Sequence, residues 1–204
     1  MFKIGITGSI GTGKTTIASM FAKFNIPILD ADDEIKKILT RSVVKRKLKE
    51  VWPFVIIKNK IDRGKLKSII FCNKTEKKKL ENLLYPYLNK EIKKFENKNK
   101  NENILVYDVP LIYETKSEKK YDLILLANCN ENLQKKRVLN RDKISNSLFE
   151  SIKKSQLSFN EKIKFEPKII NTDNSKLYIL IKIVLLIIEI YIKLKIKKWN
   201  KKEN

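Results

Sequence analysis

Residues 5–16 read Gly5-Ile-Thr-Gly8-Ser-Ile-Gly11-Thr-Gly13-Lys14-Thr15-Thr16 and hold four of the chain's five glycines. From Gly8 to Thr15 the spacing is G-x-x-x-x-G-K-[ST], with an apolar strand-like run, Phe2–Thr7, before it and a helix-like run, Thr15–Phe24, after it. Glycine lets a backbone curl so that successive N–H groups converge on phosphate oxygens at a helix N-terminus, where the macrodipole also favours an anion. The pattern therefore predicts a triphosphate cradle lined by Gly11, Thr12, Gly13, Lys14, Thr15 and Thr16. Lys14 would reach the β- and γ-phosphates, and the Thr15 hydroxyl would hold Mg²⁺. The alternative is an ordinary glycine-rich turn, which the flanking pattern disfavours.

Two acidic segments could complete a phosphoryl-transfer site. Asp30-Ala31-Asp32-Asp33 closes a second apolar run, at the sheet edge where open α/β folds bind ligands. The start of the following helix would aim Asp32 or Asp33 at a hydroxyl acceptor, although a helix N-cap explains an aspartate there equally well. Asp108-Val-Pro110-Leu111 closes a third run, where a carboxylate could ligate Mg²⁺ through water; a turn-forming Asp before proline is its alternative. Arg137 and Arg141 stand four residues apart, on one face of a helical run, and two guanidinium groups there would suit a transferring phosphoryl group. A solvated surface pair is the other reading.

These residues need a scaffold that gathers strand ends at one edge. Short apolar runs at Phe2–Thr7, Ile26–Asp30, Ile104–Asp108, Leu123–Ala127 and Lys168–Asn171 alternate with helical stretches, which predicts a parallel five-stranded sheet with helices on both faces. Some seventy residues separate the second run from the third, too many for an ordinary crossover, so that span reads as an inserted helical subdomain. The expected division is a nucleotide core of 1–40, 100–130 and 160–204, an insert of 41–99 and a helical lid of 131–159. Within the lid, Glu131–Asn140 reads as one helix and Ser147-Leu-Phe-Glu150 as a capping box opening another. Lys94–Asn103 is polar enough to be a mobile loop.

Composition narrows the chemistry. The 204-residue chain has no histidine, so proton transfer falls to carboxylates or other groups. Cys72 and Cys129, without a C-x-x-C, suggest neither a disulfide framework nor a zinc site, and a reducing cytoplasm is the simplest compartment. The formal charge of +22 is spread over lysines interleaved with Asn and Ile, which points to a biased surface suited to small anionic substrates and not to a specific nucleic-acid site. The apolar stretch Leu177–Ile196 contains Lys182 and Glu189 well inside it, which disfavours a bilayer span. Leu177, Ile181, Val184, Ile188 and Ile192 recur at helical spacing, as in a helix packed on a core, so no membrane partner is expected; a span or surface anchor is the alternative.

Taken together, the residues resemble the dephospho-coenzyme A kinase family of P-loop kinases. The resemblance rests on the glycine-rich loop, Asp30-Ala-Asp32, Ile61-Asp-Arg63 with Leu66 and Phe71, Leu80-Glu81 with Tyr85-Pro86, Asp108-Val-Pro-Leu-Ile-Tyr-Glu114, Gln134 with Arg137 and Arg141, and Gln156 with Asn171. It implies a P-loop kinase-like core, an inserted coenzyme A subdomain and a lid. The implied activity is transfer of the γ-phosphoryl group of ATP, with Mg²⁺, to the ribose 3′-hydroxyl of dephospho-coenzyme A. It further implies Asp32 as catalytic carboxylate, Lys14, Arg137 and Arg141 as catalytic cations, and Arg63, Tyr85, Asp108, Pro110 and Leu111 beside the acceptor. Tyr85 stands where the family commonly has histidine, which favours packing or substrate contact over proton transfer there. A nucleoside or nucleoside-monophosphate kinase would share the loop, sheet and lid, and the acceptor subdomain separates the two readings.

Overall fold

Every second residue of the first strand faces the same way, and in β1 (Phe2–Thr7) that rule puts Ile4 and Ile6 into a fully buried layer. In the computed structural model β1 is the centre of a five-stranded sheet, β2-β5-β1-β6-β7. Its partners are β2 (Ile28–Asp30), β5 (Ile104–Asp108), β6 (Leu123–Asn128) and β7 (Lys168–Asn171). Parallel register sets Ile6 beside Asp108, Thr7 beside Leu126 and Asn128 beside Asn171, so the carboxyl ends of these strands share one edge. The structure describes residues 1–58, 60–142 and 144–200, without the side chains of 67, 70–72, 74, 142 and 198; those of Phe71 and Cys72 thus lie outside the described residues.

Two compact units divide the chain, Met1–Ile28 with Asn99–Asn204, and Leu29–Lys98. In the first, α1 (Lys14–Ala22) and α9 (Lys176–Asn200) bury Ile17, Phe21, Ile183 and Leu186 against Ile4, Val106 and Leu125. Each such side chain contributes about 1.5–3 kcal/mol when taken from water. Pro27 has no N–H to give a ladder, although its carbonyl accepts from Val106 N–H at 3.0 Å, and the strand begins at Ile28, two residues later than the apolar pattern suggests. Three further helices lie in this unit: α6 (Glu131–Asp142), α7 (Asn146–Lys154) and α8 (Phe159–Ile163).

The second unit holds α2 (Ala31–Leu39), α3 (Ser42–Val51), α4 (Arg63–Cys72) and α5 (Lys74–Lys98), with a small hairpin of β3 (Ile56–Ile57) and β4 (Lys60–Ile61). Ile38, Val44, Leu48, Trp52, Leu66, Leu80 and Leu84 form its own core. Buried Trp52 donates its indole N–H to Glu76 Oε2 at 2.7 Å, the partner such a ring requires.

Local patterning misplaces three details. The N-cap of α7 is Ser145, which accepts from Leu148 N–H, while the complete capping box is Ser158 with Glu161 at α8. Lys94–Lys98 is the last turn of α5 and not a loop, with Lys94 paired to Glu91 one turn back. The third detail is the face of α9. Ile179, Ile183, Leu186, Ile187 and Ile190 are buried, whereas Leu177, Ile181, Ile188 and Ile192 of the expected core stripe are 49–65% exposed. Two apolar stripes share this helix, and hydropathy alone could not tell which one meets the sheet.

Candidate active site

Between β1 and α1 the chain makes the loop that the glycine spacing predicts. Gly8, Gly11 and Gly13 have φ of +146°, +77° and +91°, a region from which a Cβ is nearly excluded. A Cβ on Gly11 would lie 2.4 Å from Val138 Cγ2 and 2.9 Å from the Gln134 carbonyl oxygen, and one on Gly13 would lie 2.8 Å from Thr172 Oγ1. Gly13 is the left-handed N-cap of α1, so Lys14, Thr15 and Thr16 occupy its first turn, where N–H groups lack intrahelical acceptors. Lys14 Nζ folds over the loop and donates to the carbonyls of Gly8 (2.9 Å) and Ser9 (3.1 Å). The arrangement concentrates positive potential on one concavity.

The loop is held from outside by side chains from three other segments. Gln134 on α6, buried, donates Nε2–H to the Ile10 carbonyl at 2.6 Å, and Gln156, just after α7, accepts from Ile10 N–H at 3.1 Å. Ile10 is thus held at both its N–H and its carbonyl. Thr172, buried beyond β7, donates its hydroxyl to the Thr12 carbonyl at 2.8 Å. Arg137 donates Nη1–H to Thr172 Oγ1 and Nη2–H to the Thr172 carbonyl, both at 2.9 Å. Its fork therefore stabilises a brace of the loop. Cys129 points its thiol at the Gly11 carbonyl, and burial, the largest influence, pushes that thiol's pKa up.

Gln156 is itself held in place. Leu157 N–H donates to Glu114 Oε1 at 2.9 Å, and Lys162 Nζ, 1% exposed, lies 3.0 Å from the same oxygen as an ion pair, without hydrogen-bond alignment. Breaking such a buried pair by removing one partner costs about 3–5 kcal/mol. Tyr113, next to Glu114, stacks on Phe165 at 4.5 Å between centroids.

The other residues singled out from the sequence fall as follows. Asp108 is buried at the end of β5; beyond it Val109 N–H donates to the Ile6 carbonyl, and Thr7 Oγ1 donates to the Pro110 carbonyl at 2.9 Å, with Leu111 half-buried in the next turn. Arg141, one turn after Arg137, is exposed, so the two arginines differ despite their shared face. In the second unit Asp30, and not Asp32, is the N-cap of α2, accepting from Asp33 N–H at 3.0 Å. Asp32 sits exposed in the first turn of α2. Arg63 opens α4 behind its cap Asp62, and Tyr85 lies half-buried on α5.

The oxygen groups that the sequence offers for Mg²⁺ are those of Thr15, exposed in the first turn of α1, and Asp108, buried at the end of β5. Among the described residues no group of three or more His, Cys, Asp or Glu could form a cage. A hydroxyl and a carboxylate are hard oxygen ligands, and they fit an ion that keeps most of its coordination for phosphate and water.

Sequence reasoning singled out Gln134 and Gln156 without a role and missed Thr172. Its signal was available, since Thr172 directly follows a strand that ends at the ligand-binding edge.

A family model described as dephospho-CoA kinase matches residues 2–177. A dephospho-CoA kinase of Fusobacterium nucleatum is 36% identical over 174 residues, covering 84% of this chain and 90% of that protein. The crystal structure of a Thermus thermophilus protein superposes with a TM-score of 0.83 at 23% identity, over 92% of this chain and 96% of the other, which establishes the fold. The dephospho-CoA kinase from Campylobacter jejuni superposes at a TM-score of 0.65 with 27% identity, over 91% and 96%.

Proposed function

We propose that this chain, which belongs to the dephospho-CoA kinase family, transfers the γ-phosphoryl group of ATP to the ribose 3′-hydroxyl of dephospho-coenzyme A. The observation that carries the acceptor is the dephospho-CoA kinase family match over residues 2–177, and the phosphate loop, gripped at Ile10 and Thr12 and carrying Lys14 at the head of α1, supports the transfer itself. Phosphoryl transfer asks a protein mainly for position and charge, which a fixed loop, a lysine and arginines supply without histidine.

In this reading the loop N–H groups and Lys14 bind the triphosphate. The acceptor oxygen forms its bond to the γ-phosphorus as the bond to the β-phosphate oxygen breaks, and ADP leaves. Asp32 takes or orients the hydroxyl proton. Thr15 and Asp108 would hold Mg²⁺, which when bound neutralises phosphate charge. Arg141 supplies charge over the phosphates, and Arg137 acts through Thr172 while its fork stays there. Arg63 and Tyr85 in the insert, with Asp108, Pro110 and Leu111, contact the acceptor, and residues 131–159 form the lid. The proposal places the reaction in the cytoplasm, in keeping with Cys129 as a free, buried thiol.

An acceptor panel tests it. Purified protein with Mg²⁺-ATP should phosphorylate dephospho-coenzyme A faster than nucleosides or nucleoside monophosphates. Equal or faster turnover on a nucleoside would overturn the acceptor while leaving the kinase class intact.

A further inference from the structure

The outward face of α9 is apolar along its whole length. Leu177, Ile181, Leu185, Ile188, Ile192, Ile196 and Trp199 form one stripe, each 49–68% exposed, on the side opposite the residues buried in the core. The stripe runs about 33 Å at the ordinary rise of a helix. A contiguous apolar strip of this size on a folded protein marks an interaction surface. The family match ends at residue 177, in the first turn of α9, so all of the stripe after Leu177 lies beyond the part shared with that family model.

Charge decides what covers it. The stripe steps 4, 4, 3, 4, 4, 3, a period near 3.67 that keeps it nearly in line along the helix. Lys182, Lys193 and Lys195 accompany it along α9, and Lys168 stands beside it on β7. Glu189, the acidic side chain of α9, is engaged by Lys168 at 3.0 Å and Lys193 at 2.7 Å. Between α9 and the β7 edge a groove of about 390 Å³ carries Tyr178 and Leu185 with Lys168 and Lys182, and none of the phosphate-loop residues. At +22, two copies of this chain repel each other, while an anionic surface attracts either one.

We propose that the outward stripe of α9 and its flanking lysines dock the protein on an anionic lipid surface. The helix lies in the headgroup plane, with apolar side chains below it and ammonium groups on lipid phosphates. It does not span, and among the described residues no helix is long and apolar enough to cross a membrane. The apolar stripe that the sequence pattern assigns to the core is the one left outside, which favours the surface anchor that the sequence leaves as its alternative.

Sedimentation with vesicles tests the proposal. Full-length protein should pellet with phosphatidylcholine–phosphatidylglycerol vesicles and not with phosphatidylcholine alone, the binding should weaken with salt, and Trp199 emission should shift to the blue. Leu185→Gln/Ile188→Gln, which keeps the net charge, should reduce binding more than about tenfold and leave kinase turnover on soluble substrates unchanged. Lys182→Gln/Lys193→Gln/Lys195→Gln should weaken binding to the anionic vesicles. Wild-type protein that stays in the supernatant would overturn the proposal. So would vesicle binding untouched by Leu185→Gln/Ile188→Gln, which would indicate diffuse attraction of a basic protein. A dimer dispersed by those substitutions, without vesicle binding, would assign the stripe to a second copy.

Discussion

Gln134 Nε2 donates to the carbonyl of Ile10 at 2.6 Å, across 124 residues of chain. The bond joins α6 to a loop position that the glycine pattern leaves free. Gln156 takes the N–H of the same residue, so both sides of the α6–α7 hairpin hold one loop residue. Loop geometry and hairpin position are therefore mechanically linked.

Gln134→Leu fills the same space but leaves the Ile10 carbonyl without its donor. An unsatisfied buried acceptor costs about 1–3 kcal/mol, or roughly a 5- to 150-fold effect where the loop must be correctly shaped. The expected outcome is a rise in KM for ATP within that range, with KM for the acceptor changed far less. Initial rates with each substrate varied in turn check it, and an equal rise in both constants would point to general loosening instead.

Gly11→Ala combines a strained φ of +77° with a Cβ 2.4 Å from Val138 Cγ2. Neither neighbour yields cheaply, because Val138 is fully buried and the other contact is the Gln134 backbone carbonyl. ATP binding should become undetectable by calorimetry. Gly64→Ala is the contrasting case: its Cβ meets only Asp62 Oδ1, at 3.2 Å, within α4. That oxygen caps α4 by accepting from Lys65 N–H at 3.0 Å, so a gain in helix propensity is offset by crowding the cap, and Tm should change little while ATP binding is kept.

The loop was legible in sequence because its geometry requires glycine at fixed spacing, and the sheet was legible because parallel strands bury both faces. What grips the loop was less visible. Gln134, Gln156 and Thr172 act through backbone atoms far off in sequence, and no periodicity records such a bond. Arg137 was readable as a cation near phosphates, but its engagement by Thr172 depends on where the turn after β7 falls. The face of α9 was illegible for another reason. When both stripes of a helix are isoleucine and leucine, the choice between them depends on the sheet alone.

Arg137 and Arg141 should separate in mutagenesis. Arg137→Ala and Thr172→Val both break the brace on the Thr12 carbonyl, so each should lower thermal stability and raise KM for ATP together. Arg141→Ala, at an exposed position, should leave Tm within the small range usual for surface changes and lower kcat. Thermal melts beside steady-state kinetics on the same preparations distinguish them. A loss of kcat in Arg137→Ala with Thr172→Val normal would place its guanidinium on the phosphates.

Asp32→Asn keeps the shape of the first turn of α2, whose cap is Asp30. ATP affinity and Tm should be retained while turnover falls by about 10²- to 10⁴-fold, the scale of a positioned acid or base. Near-normal turnover would reduce Asp32 to a favourable charge at a helix N-terminus.

Two tyrosines predict an alkaline limit. Burial, with the Glu81 carboxylate second, pushes Tyr85 up to about 12, and burial, with Glu118 second, does the same for Tyr113. A raised phenol pKa means the folded state holds the proton that the unfolded chain releases near 10. Their contribution to stability is therefore complete below about pH 10 and is lost as pH rises through about 12. Circular dichroism against pH should show unfolding free energy falling across that window. Tyr113→Phe should flatten part of the fall at no cost near neutrality, since among the described residues Tyr113 Oη has no hydrogen-bond partner while its ring stacks on Phe165. Because Tyr85 stays neutral at physiological pH, Tyr85→Phe should leave the shape of the pH–rate profile unchanged, whereas Tyr85→His should add a limb near about pH 6.5.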